Sequence, residues 1–273
     1  MKRQTWSLRT ILGSLLLAAV LIFALAGLIA SPYDPLEPDF AAQLQAPGAQ
    51  HWMGTDQFGR DVLSRLMAGA MTSILISLGV VSIATLAGTL LGLLSGYFGG
   101  AVDRVIGFFT NALMAFPGLL FVLGLMAVIG PSRGGVVIAL GAALTPTVIR
   151  VVRSSALSVR RNQFVEASIA LGQPHGWIMF RHILPNCLSP LIVLSTSLIG
   201  VAVLSESALS FLGLGVPAPH ATWGGMLADA RPNLDHASWL AIFPGAAISI
   251  ALLGINLVGD AVRDRFDPRM HSL

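Results

Sequence analysis

The chain has 273 residues, of which 55% are hydrophobic and only 11% charged, with a mean hydropathy of +0.78 and a formal net charge of +3. No water-soluble domain of this length sustains that balance, so the chain belongs in a bilayer. A helical span needs about 20 mostly apolar residues. Stretches near 11–30, 72–97, 105–130, 134–151, 187–205 and 239–259 qualify. They are long and continuous, without the period-2 alternation of barrel strands, and predict an all-α, polytopic membrane protein with six transmembrane helices.

In chain order, Lys2-Arg3 and the first apolar run imitate a signal peptide, with Ala24-Leu25-Ala26 as a cleavage-like triplet. The run continues through Ala30, longer than a signal core, so the segment is expected to stay as a membrane anchor (1–30). An irregular, Pro-rich stretch follows from Ser31 to Pro47. His51 to Asp56 then introduces a short amphipathic helix along the outer interface. Thr55 or Asp56 is the expected cap, Asp61 and Arg65 stand at i,i+4, and Val62, Leu63, Leu66, Met67 and Ala70 share a face. Residues 31–71 are thus expected to form an extracytoplasmic segment ahead of a core of five spans, 72–260, and a short tail, 261–273.

In the second span Gly88, Gly92 and Gly96 recur every four residues and predict a small-residue groove for close packing, inside the core or against a sister subunit. Pro117 and Pro146 each remove a mid-span hydrogen bond, predicting kinks that line a pathway or serve packing. A polar island, 153–186, interrupts the apolar pattern. Within it Gln163 to Leu171 reads as a helix about 14 Å long, with Gly172 at the left-handed C′ position and Pro174 blocking continuation. Phe164, Ala167 and Leu171 share one predicted face, and Gln163, Glu166 and Ala170 another. Glu166 is the only acid between Arg153 and Asn186 and is expected to pair with Arg161 or a partner's cation. After the fifth span, Glu206 is costly against lipid and is expected to face a protein interior or a water-filled passage, as a pathway or gate residue, with a plain interfacial carboxylate as the alternative.

Cytoplasmic loops retain Lys and Arg. One side of the predicted topology holds Lys2, Arg3, Arg9, Arg104, Arg150, Arg153, Arg160, Arg161, Arg181, Arg263, Arg265 and Arg269; the other holds Arg60, Arg65, Arg133 and Arg231. This asymmetry puts both termini and the island in the cytoplasm. It also accounts for a pI near 9.7 without nucleic acid as a partner.

The order Glu166-Ala167-Ser168, three residues, Gly172, and later Arg181-His182 with Leu184-Pro185 resembles the EAA loop of ABC-importer permeases. Ser168 replaces the second Ala, and His182 stands where many members have Ile. The string Gly54 to Arg65 and the tail from Asn256 to Asp260 and Asp267-Pro268-Arg269 resemble permeases of the dipeptide, oligopeptide and nickel group, so the likeness runs from near Asp34 to Arg269. That resemblance implies the type I permease fold in a bacterial inner membrane. It further implies a second homologous permease subunit, two ABC ATPase subunits carrying ATP and Mg, and an extracytoplasmic substrate-binding protein. Di- or oligopeptides are the first substrate choice, because Arg181 to Asn186 resembles peptide permeases; nickel or its chelates and glutathione stay open.

The residues themselves restrict the chemistry. Lys2 is the only lysine, so no G-x-x-x-x-G-K-[ST] phosphate loop exists here and the chain is expected to be a transport subunit, not an enzyme. His51, His175, His182, His220, His236 and His271 are scattered without H-E-x-x-H, and the single Cys187 forms no CxxC pair, so no metal or cofactor is expected on the chain. An intramembrane protease is disfavoured because Leu93 and Leu257 occupy the positions where such motifs require glycine. A self-sufficient porter is disfavoured by scarce mid-span acids and no evident repeat.

Overall fold

The computed structural model describes residues 8–266, and these form ten α-helices with a few short 3-10 or π turns and a single isolated bridge, Thr55 with Asp61. The helices are α1 (Leu8–Ile29), α2 (Val62–Phe98), α3 (Gly100–Ala115), α4 (Gly118–Ile129), α5 (Arg133–Arg160), α6 (Gln163–Ala170), α7 (His175–Ile178), α8 (Leu184–Phe211), α9 (Trp223–Ala230) and α10 (Trp239–Phe266). Five stretches are long and apolar enough to cross a membrane: α1, α2, α5, the run His175–Phe211, and α10. The sixth predicted span is the pair α3 and α4, bent by 96°. Lys2, Arg3, His271 and the Asp267 to Arg269 part of the tail lie outside the described residues.

That bend is sharper than a mid-span kink. Phe116, which precedes Pro117, is extended (φ −82°, ψ 140°), as the proline ring demands of its neighbour, so α3 stops and α4 starts afresh. Pro146 has a milder outcome. It is buried inside α5, which continues as one helix from Arg133 to Arg160.

The separate interfacial helix expected before the second span does not form. α2 begins at Val62 and runs unbroken for 37 residues, about 55 Å, because no Gly-Pro break intervenes and Asp61, rather than Thr55 or Asp56, caps it by accepting from Ser64 N. Val62, Leu66 and Ala70 do share a face as predicted. They turn into a protein core with Trp223, Met226 and Leu240, however, and not toward an interface.

Two apolar cores result. One lies among α2, α4, α5, α8 and the segment 178–183, and includes Val80, Leu93, Val148, Val152 and Ile183. The other joins α1, the start of α2, α9 and α10. The α2–α5 contact is the most extensive in the fold. Gly88, Gly92 and Gly96 permit it: a Cβ added at each would lie 2.5 Å from Val148 Cβ, 2.8 Å from Val152 Cβ and 2.7 Å from Ala156 Cβ. The groove predicted from spacing is therefore filled from within the chain, four residues on α2 matching four on α5. Large apolar side chains such as Leu86, Phe108 and Val128 stay exposed, as a surface facing lipid or another membrane subunit requires.

Gly92→Leu is expected to lower thermal stability by about 1–3 kcal/mol or to prevent folding, because the side chain meets Val152 Cβ and the Ile149 carbonyl. Gly245→Ala, with nothing within 4 Å, serves as the neutral control. Heating followed by fluorescence-detected gel filtration reads both.

Candidate functional site

The loop joining α5 to α8 is built by three local devices. Asn162 is extended (φ −79°, ψ 143°) and turns the chain out of α5 into α6. Gly172 (φ +74°) then ends α6 in the left-handed conformation, with Gly172 N donating to Ile169 O at 2.9 Å and Gln173 N to Ser168 O at 3.2 Å. These are the two bonds of a Schellman motif, and an L-side chain at 172 would be strained. Pro174 caps the single turn α7, which passes into a π turn, Met179–Ile183, and on into α8.

α6 is held by Val165, fully buried, and Ser168, whose Oγ is satisfied by donating to Phe164 O at 2.9 Å. The face division differs from the prediction. Phe164, Glu166, Ala167, Ile169 and Leu171 are all exposed, and the anchoring stripe is 165 and 168. The substitution of Ser for Ala at 168 thus sits on the inner face, where its hydroxyl bonds to its own helix. Glu166 forms no ion pair among the described residues, and Arg161 does not supply one. His182, in the π turn, places its ring 6.0 Å from Phe164 and 4.7 Å from Trp177, tying α6 to α7; Arg181 and Pro185 are exposed, and Leu184 is half-buried.

A residue missed in the sequence locks this loop to a span. Tyr97, in the last turn of α2, hydrogen-bonds His175 Nδ1 at 2.7 Å, and Phe98 stacks edge-on to the same ring at 5.6 Å. The chain has only two tyrosines. A Tyr-Phe pair ahead of Gly99-Gly100 was the one available signal.

At the opposite end of the bundle, Glu206 is fully buried and does not line an open passage. It accepts from Ser210 Oγ at 2.7 Å and from Ser73 Oγ at 3.5 Å, joining α8 to α2. Ser73 Oγ in turn accepts from Trp223 N, while Thr222 caps α9 and Trp223 Nε1 donates to Leu66 O at 3.1 Å. A Cβ on Gly224 would lie 2.4 Å from Ser207 Cα. α9 is therefore sewn to both spans at once.

The Gly54 to Arg65 string folds beside it. Asp56 accepts from Arg60 Nε at 2.8 Å and faces Arg65 Nε at 3.3 Å, and Arg65 Nη2 lies 3.7 Å from Asp229 on α9. The expected Asp61–Arg65 side-chain pair is absent, because Asp61 spends its carboxylate on the α2 cap and on His51 Nδ1 at 3.0 Å. Burial pushes the Asp229 carboxyl above its ordinary range, opposed by Arg65 and Arg60. Asn233 and Trp239 add bonds to Gln57 and to the Thr55 carbonyl.

Residues 88–272 match the family model for the binding-protein-dependent transport system inner membrane component, a stretch that opens on the glycine groove and contains the whole 163–185 loop. The chain belongs to that family. The dipeptide transport system permease protein DppC of Alkalihalophilus pseudofirmus is 39% identical over 262 residues, 96% of this chain and 86% of the relative. The glutathione transport system permease protein GsiD of Pectobacterium atrosepticum is 37% identical over 242 residues, 88% and 80% of the two chains. Among solved structures, a subunit of the MetNI methionine ABC transporter superposes with a TM-score of 0.60 at 16% identity, covering 74% of this chain and 96% of that one. The fold is that of ABC-importer permeases. Placed in the family, the described residues divide into an exposed peg at one end and a stitched, charge-rich cap at the other.

Glu206→Gln, which keeps an acceptor for Ser210, is expected to retain thermal stability. Glu206→Ala, which leaves a cavity and unpaired hydroxyls, is expected to lose about 2–4 kcal/mol. Thermal denaturation of the two purified variants checks the difference.

Proposed function

We propose that this chain is one of two homologous permease subunits of an ATP-driven importer for di- and oligopeptides, and that α6 is the element gripped by a partner ATPase. The observation that carries this reading is α6 itself. It is a peg of about 12 Å with Phe164, Glu166, Ala167 and Leu171 exposed, a fixed left-handed end at Gly172, and a bond from the same loop to α2 through His175 and Tyr97. A chain whose only lysine is Lys2 has no phosphate loop of its own, so ATP and Mg belong to the partner subunits.

In this scheme the end that carries α6 faces the cytoplasm, as the Lys and Arg distribution supports. Closure of two ATPases moves α6, and the buried Ile178 and Ile183 together with the Tyr97 bond pass that movement to α8 and α2. The cap around α9 and residues 31–61 lies at the opposite end, under an extracytoplasmic binding protein that delivers substrate. Glu206 and Pro117 serve this cycle as gate clasp and break, while Pro146 lies buried inside the continuous α5.

Peptides are favoured as cargo because DppC is a dipeptide permease by name and GsiD a glutathione permease, glutathione being itself a tripeptide. The ligand carried by the binding protein that copurifies with the complex tests that choice.

Gly172→Val leaves every packing contact free, since nothing lies within 4 Å of the position, yet forces a β-branched residue to φ +74°. Membrane insertion is expected to be normal and peptide uptake in cells abolished. Wild-type uptake by this variant counts against α6 as the force-bearing element.

A further inference from the structure

At the α6 end of the bundle, α2, α3 and α5 enclose a cleft of about 450 Å³ whose walls carry Arg104, Arg150 and Arg153 against one carboxylate, Asp103. Asp103 is fully engaged. Arg153 reaches it through Nε and Nη2, the latter at 2.7 Å, and Ser95 Oγ donates to it as well. Among the described residues the other two guanidiniums have only neutral partners: Arg150 Nη2 donates to Asn111 Oδ1 at 2.9 Å, and Arg104 Nε to Gly100 O at 3.4 Å. The cleft thus holds two uncompensated positive charges.

Its depth is set by α5. Arg133 and Arg150 are separated along one helix by about 25 Å, and Arg133 and Arg153 by about 30 Å, at the helical rise per residue, matching a hydrocarbon core of about 30 Å. The guanidiniums therefore stand at headgroup level when Arg133 stands at the other surface. Beside them α3 exposes Val105, Phe108 and Phe109, an apolar flank adjoining the polar cleft, which Phe108 also lines. Charge at the rim and apolar surface beside it match an amphiphile with an anionic head.

We propose that this cleft binds the phosphate of an anionic phospholipid through Arg104 and Arg150, with the acyl chains along Val105, Phe108 and Phe109 of α3. Arg153 is held back by Asp103 and shapes the cleft, while the other two guanidiniums make the charge-assisted bonds to phosphate. The bound lipid would fill the space along α3 ahead of its break from α4 and steady a helix in which only Thr110 is buried.

The test uses the assembled importer purified in detergent and equilibrated with an equimolar mixture of phosphatidylglycerol and phosphatidylcholine, with retained lipids counted by native mass spectrometry. Wild type is expected to retain phosphatidylglycerol in preference, and Arg104→Gln/Arg150→Gln to lose that preference by about 5-fold for each guanidinium removed. Arg9→Gln, an exposed charge on α1, should keep it. Equal retention of both lipids by wild type, or an unchanged preference in the double variant, overturns the assignment. Should the double variant not assemble, a photoactivatable phosphatidylglycerol is applied to wild type. Cross-links to α3 and α5 support the site, and cross-links confined to other helices overturn it. Displacement of retained phosphatidylglycerol by a dipeptide assigns the guanidiniums to a substrate carboxylate and also overturns the proposal. None of these readouts depends on transport, so their failure leaves the peptide-import reading standing.

Discussion

Three missing side chains hold this protein together. At Gly88, Gly92 and Gly96 the surface of α2 is reduced to backbone, and Val148, Val152 and Ala156 of α5 enter the space at distances no Cβ tolerates. In a bilayer the lipid tails are as apolar as any core side chain, so helices associate through close packing rather than through escape from water. The α2–α5 pair supplies the largest such contact, and the other spans are arranged around it. The loop from 161 to 183 grows out of α5 and is pinned to the end of α2 by the Tyr97–His175 bond. The peg is thus fastened to the two most tightly joined helices in the chain.

The polar side chains obey the same solvent. Glu206, Ser73, Ser210 and Thr222 are buried together and bond with one another, and Asp56, Arg60 and Arg65 form a second buried group nearby. Both groups end on α9 or its cap. This short helix is held by these bonds together with the buried apolar side chains of Trp223, Met226 and Ala230. At the other end the charges are arranged differently: Glu166 and Arg181 are exposed on the loop, and among the described residues Arg104 and Arg150 face a cleft with neutral partners only. One end is closed upon itself and the other is left ready for partners.

Several expectations from the sequence came through because they depend on local rules. The helix predicted over 163–171 appears as Gln163–Ala170, and Gly172 adopts the positive φ its position called for. The four-residue glycine repeat packs as predicted. Where the outcome depended on which distant group a side chain would meet, the reading failed. Arg65 chose Asp56 and Asp229 over Asp61, the start of α2 turned into a core instead of lying at an interface, and the inner stripe of α6 was Val165 and Ser168. Tyr97 went unnoticed because its partner lies 78 positions away.

By itself, then, the sequence determined the membrane environment, the number and length of the apolar stretches, the charge asymmetry and the boundaries of the peg. Each of these follows from composition, helical period or the backbone preferences of Gly and Pro, all of which act within a few residues. Tertiary structure decided that the glycine groove is filled by α5, that Pro117 breaks a span where Pro146 does not, that Glu206 clasps α9, and that three arginines meet in one cleft. Those outcomes are contacts between segments far apart in the chain, and no local preference carries the information about which surface a given face will meet.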